Sequence, residues 1–210
     1  MKLEINVPDS LREITLGQYQ KFQKLELEDN AFGLQKMIEI FCGLDLKDVA
    51  TIKYKSVQQI TLHLNKIFDT KHTLIPTIHL NGQDYGFIPE LDDMSLGEYI
   101  DLENNMSDWQ TMHKAMSILY RPITFKRGHK YQIEDYKGVH EDFTNMPLDV
   151  VFGAQVFFYN LANELLTTTL NYIHKEEEMS TALQQHLERN GVGINQSMDL
   201  LRGILPSLMR

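Results

Sequence analysis

Apolar residues recur along this chain at two periods, and the places where the period changes divide it into elements. Residues 2–7 alternate, with Leu3, Ile5 and Val7 on one side, as a half-buried strand requires. From Thr15 the spacing is helical: Leu16, Tyr19, Phe22 and Gln23 share a face. The acidic break Glu26-Leu27-Glu28-Asp29-Asn30 separates this helix from a second, which turns Leu34, Met37, Ile38 and Phe41 inward. Gly43 stands just past its end, where a residue in the left-handed region closes helices. Val57, Ile60, Leu64 and Ile67 then predict a third amphipathic helix over 56–68.

The period next falls to two. Residues 77–80 and 83–88 flank Asn81-Gly82, a pair whose dihedrals suit the type I′ turn of a tight hairpin. That loop sets Leu80 opposite Gln83, His79 opposite Asp84 and Ile78 opposite Tyr85, and it gathers Ile78, Leu80, Tyr85 and Phe87 on one face. A second hairpin is expected over 123–133. A three-residue loop at Arg127-Gly128-His129 pairs Phe125 with Tyr131 and Ile123 with Ile133, which a two-residue loop misaligns.

Two helices open with the same construction. Val7-Pro8-Asp9 leads to Thr15-Leu16-Gly17-Gln18-Tyr19, and Ile88-Pro89-Glu90 leads to Ser95-Leu96-Gly97-Glu98-Tyr99. In each, an extended stretch stops at proline and a Ser/Thr-x-x-Glu/Gln capping box satisfies free N–H groups of a new helix. The second of these helices groups Leu96, Tyr99, Ile100 and Glu103. After an acidic break at 104–108, another helix runs to Tyr120 with Trp109, Met112, His113, Met116, Leu119 and Tyr120 on its apolar side, and Arg121-Pro122 ends it.

The longest apolar helix is expected from Pro147, with Asn145 as its cap and Asp149 in its first turn. Val150, Ala154, Phe157, Phe158, Leu161 and Leu165 form its stripe, which Val151, Phe152 and Val156 widen to nearly all round. This is the expected central helix. Glu176-Glu177-Glu178 either prolongs it or opens a further helix for which Thr181-Ala182-Leu183-Gln184 offers a capping box. Beyond Asn190-Gly191-Val192-Gly193, Ile194, Met198, Leu201, Leu205 and Leu208 form a single stripe on a helix weakened by Gly203 and Pro206. Such a stripe needs a partner, in its own core or on another chain.

Composition narrows the class. With 42% apolar and 23% charged residues in 210, the chain can bury a real core. A formal charge of −9 argues against a protein that lives on nucleic acid, because affinity for phosphate backbones comes chiefly from clustered Lys and Arg. One cysteine, Cys42, forms no intrachain disulfide and reads as a small buried hydrophobe in a reducing compartment. MKLEINVPDS carries acids and no apolar run, so no secretory signal is expected. Residues 147–173 have the length of a membrane span, but Asp149, Gln155, Asn160, Asn163 and Glu164 interrupt them and favour a core helix.

Candidate chemistry is sparse. His113 lacks a second histidine at zinc spacing and reads as a core or boundary residue. His79 and Asp84 suit a surface ion pair. The carboxylates Glu98, Asp101, Glu103 and Asp108 spread over more than one helix face, no glycine-rich phosphate loop occurs, and no base, nucleophile and oxyanion donor converge. No cofactor or metal site is expected. Lys126, Arg127, His129 and Lys130 form a basic cluster that fits a solvated hairpin tip or a docking point. Candidate partner-binding residues are therefore Ile194, Met198, Leu201, Leu205 and Leu208 on the terminal stripe, with Lys126, Arg127 and Lys130.

The segments YGFIPELDDMSLGEYIDLENNM, DWQTMHKAMSILYRPIT, YQIEDYKG, MPLDVVFGAQVFFYNLANELL and NGVGINQS, in that order, resemble a family of proteins of about this length encoded by tailed bacteriophages, especially T4-like phages of marine and other environmental bacteria. The resemblance covers most of the chain from Tyr85 onward and is looser before it. It implies virion assembly in the host cytoplasm and carries over no catalytic motif. Within that context it implies a tail assembly chaperone that coats the tape-measure protein until tube subunits replace it. The alternatives are a permanent connector, neck or baseplate subunit, and a small phage enzyme or host-takeover factor. Implied partners are tape-measure, tail or connector proteins or a second copy of the chain, with no nucleic acid and no membrane. The expected fold is α+β and predominantly helical, with two small β-hairpins packed around a long central apolar helix. Residues 1–190 are expected to form one globular domain, and 191–210 a C-terminal amphipathic segment.

Overall fold

A computed structural model describes residues 5–25, 31–140 and 142–175, with side chains as far as 168. The fold is α+β and mostly helical. In chain order the helices are α1 (Leu16–Gln23), α2 (Ala31–Cys42), the short α3 (Leu46–Val49), α4 (Tyr54–Phe68), α5 (Leu96–Met106), α6 (Met112–Leu119) and α7 (Leu148–Lys175). The strands are β1 (Thr77–Leu80), β2 (Gln83–Phe87), β3 (Tyr120–Arg127) and β4 (Lys130–Ile133). The two expected hairpins join into one antiparallel sheet of order β1-β2-β3-β4, because β2 pairs with β3 through Tyr85↔Pro122, Gly86↔Arg121 and Phe87↔Tyr120. Ile5 and Val7 pack against the core as their alternation requires, but residues 5–7 form no strand.

Both capping boxes form. The Thr15 hydroxyl accepts from the Gln18 amide while the Gln18 side chain accepts from the Thr15 amide, and Ser95 with Glu98 repeats the exchange. Gly43 (φ 66°) closes α2 as expected, and α4 buries Val57, Ile60, Leu64 and Ile67. α6 starts at Met112, so Trp109 packs from the turn before it, and the helix passes directly into β3 at Tyr120. In α1 the buried polar residue is Gln20 rather than Gln23, which is exposed.

The first hairpin has the expected register, with Asn81 (φ 51°) and Gly82 (φ 81°) in its turn. The second does not. Arg127 pairs with Lys130, Lys126 with Tyr131 and Phe125 with Gln132, which leaves a two-residue loop. An irregularity between Ile123 and Phe125 absorbs the extra residue and preserves Ile123↔Ile133, so a bulge reconciles the tight turn with the apolar pair. Phe125 thereby loses Tyr131 as its partner and lies exposed. Tyr131 instead crosses to β2, where its hydroxyl donates to the Phe87 carbonyl at 2.7 Å and its ring fills the space over Gly86.

The core gathers on the first half of α7. Leu148, Val150, Val151, Phe152 and Ala154 are buried, and the Phe152 ring lies 5.5 Å from Tyr19, 5.8 Å from Trp109 and 6.5 Å from Phe68. Gly153 is required within this helix: a Cβ there would stand 2.3 Å from the Thr73 carbonyl oxygen, where the chain crosses α7. Pro147 is not in the first helical turn; it bridges Thr15, with Leu16 N–H donating to Met146 and Leu148 N–H donating to Ile14, both at 2.8 Å. The expected hub is correct for this half only. α7 spans 28 residues in all, about 42 Å, and its outer part leaves Leu165 and Leu166 exposed. No helix among the described residues is long and apolar enough to cross a membrane.

Candidate interaction site

Leu96, Tyr99, Ile100 and Glu103 share one face of α5, as their spacing requires, and the structure turns that face outward. Leu96 is 75% exposed, Tyr99 54% and Ile100 46%. The inner positions belong to Glu98 and Leu102, which are buried. Glu98 explains the orientation. One carboxylate oxygen accepts from the Ser95 amide at 2.6 Å, completing the capping box, and the other accepts from the Arg121 guanidinium at 2.8 Å. A carboxylate buried with its cation must stay on the inside, and that fixes the rotation of the helix. Asp101 is tied the same way: the Tyr136 hydroxyl donates to it at 2.6 Å. Burial first, and then this carboxylate, hold the Tyr136 pKa above the ordinary tyrosine value.

The outward face lies in an acidic region. Between Lys71 and Lys114 the chain holds eight Asp and Glu and no Lys or Arg, a formal −8 of its total −9. Glu90, Asp92 and Asp93 before the apolar patch, and Glu103 and Asp108 after it, are all exposed. The patch is thus apolar in the middle and anionic at both ends.

The basic residues singled out from sequence, Lys126, Arg127 and Lys130, occupy the β3–β4 tip and are exposed around Gly128 (φ 62°). Arg127 lies six residue steps along the strand from Arg121, so the tip stands about 20 Å from the Glu98 ion pair. These residues form a separate feature from the α5 face. Ile194, Met198, Leu201, Leu205 and Leu208 lie outside the described residues.

Other polar groups tie elements of the fold together. Gln20 donates to the Trp109 carbonyl at 2.7 Å and sits 3.0 Å from His113 Nδ1, tying α1 to α6 inside the core. His79 and Asp84 pair at 2.7 Å in solvent, as their cross-strand register requires. Cys42 is half-buried, and burial pushes its thiol up to about 11, so it remains protonated near neutrality. Among the described residues no group of His, Cys, Asp or Glu is arranged to hold a metal ion. Comparison with protein-family models, curated proteins and solved structures finds no match.

Proposed function

We propose that this chain is a non-enzymatic bacteriophage assembly protein that works through protein–protein contacts in the host cytoplasm, as a tail assembly chaperone. The observation that carries a contact function is the α5 face: three large apolar side chains stand in solvent on one stripe of a helix whose inner side is already tied down. The phage context rests on the sequence segments given above. The terminal stripe from Ile194 to Leu208, made a poor helix by Gly203 and Pro206, suits reversible binding, because the ordering cost lowers affinity and permits later displacement. The partners in this reading are a tape-measure, tail or connector protein.

The test is the fate of the protein in an infected cell. A chaperone is recovered bound to the tape-measure protein before tails complete and is missing from purified virions. Recovery from virions at fixed stoichiometry would instead make it a permanent connector, neck or baseplate subunit.

A further inference from the structure

The two helix openings repeat a sequence but not an environment. At α1 the Leu-Gly-x-Tyr face is covered by the chain itself: Leu16 is fully buried, and Tyr19 meets Trp109 at 4.6 Å and Phe152 of α7 at 5.5 Å. A backbone also closes on its glycine, since a Cβ on Gly17 would stand 3.1 Å from the Thr144 carbonyl oxygen. At α5 the same three positions are open. Leu96 and Tyr99 are exposed, and the nearest atom to a Cβ on Gly97 is the neighbouring Ser95 hydroxyl at 3.9 Å.

We infer that the α5 face formed by Leu96, Gly97, Tyr99 and Ile100 is a docking site for a basic amphipathic helix of another protein, seated as residues 142–152 seat on α1. The filled copy supplies the shape of the occupant: a backbone able to approach the glycine, followed by a helix presenting apolar and aromatic side chains to the Leu and Tyr. Charge supplies the rest. With exposed carboxylates at both ends of the patch and no Lys or Arg between Lys71 and Lys114, an occupant with flanking Lys or Arg gains at both ends. A second copy joined face to face through α5 would set these carboxylates against one another. This site stands independently of the terminal stripe and of the phage context.

The test uses the full chain and two synthetic helical peptides with the same Leu/Phe face, one with Lys and the other with Glu on its remaining positions. By fluorescence anisotropy the Lys peptide binds and weakens with added salt. Both the Glu peptide and the paired Tyr99→Ser, Ile100→Ser variant reduce affinity by about tenfold or more, with the variant's melting temperature unchanged. Lys-peptide binding that survives the paired variant is charge attraction alone and overturns the site. Tighter binding by about tenfold after truncation at Asn190 shows the chain's own terminal segment as the occupant and overturns the assignment to another protein. So does a concentration-dependent dimer that the paired variant abolishes.

Discussion

Tyr19 and Tyr99 hold the same place in two copies of one helix opening, yet Tyr19 is 8% exposed and Tyr99 54%. Residues 142–152 fold over the first copy and nothing described folds over the second. The difference is measurable as stability. Tyr19→Ala should cost about 3–5 kcal/mol, the range for deleting a buried aromatic. Tyr99→Ala should change stability by about 0.5 kcal/mol or less. Urea unfolding of both variants checks this, and equal losses would mean that Tyr99 is buried in solution.

Glu98 completes a cap and neutralises Arg121 with the same carboxylate. Ser95→Ala, which removes only the cap, should cost about 0.5–2 kcal/mol. Glu98→Ala also leaves a largely buried guanidinium without its partner and should cost about 3–5 kcal/mol. A double-mutant cycle with Arg121→Leu should return much of that loss. Additive losses would show that the pair is not coupled.

The approach of Thr73 to Gly153 leaves no room for a methyl group. Although alanine favours helices, Gly153→Ala should destabilise by about 1–3 kcal/mol through overpacking against backbone. Gly97→Ala, at an open position, should be neutral or slightly stabilising in the free protein. Thermal melts should show a lowered melting temperature for Gly153→Ala and no lowering for Gly97→Ala, and a stabilised Gly153→Ala would contradict the crossing.

His72 packs its ring 5.0 Å from Phe152, and burial lowers its pKa below the ordinary 6.5 against the Phe68 carbonyl and Asp149, which pull it up. The unfolded chain therefore takes up this proton at a higher pH than the folded one. The stability it contributes is full above 6.5 and is lost as pH falls from there through the folded-state value. The melting temperature should drop over that interval, and His72→Phe should flatten the drop. An unchanged slope in the variant would assign the pH dependence to other groups.

Sequence showed most of the helices because their apolar spacing, caps and Gly43 agree with one another, and the register of β1 and β2 followed from Asn81-Gly82. It fell short where a tertiary partner decided between alternatives that sequence left open. Rotation of α5 depended on Arg121, 23 residues beyond Glu98, and the apolar spacing of Leu96, Tyr99 and Ile100 does not say which way that face turns. Glu103, grouped with Leu96, Tyr99 and Ile100, was the available sign that their face is exposed. The β3–β4 loop depended on a bulge that apolar pairing does not reveal. The union of the hairpins needed contacts between β2 and β3, which lie more than 30 residues apart and have no local signature.

The docking site on α5 is tested most directly by amide hydrogen exchange on the full chain, with and without the lysine-bearing amphipathic peptide. Protection should rise across Leu96–Met106 and leave Leu16–Gln23, where the equivalent face is already covered, unchanged. Unaltered exchange across Leu96–Met106 at saturating peptide, or protection appearing at the β3–β4 tip instead, would contradict it.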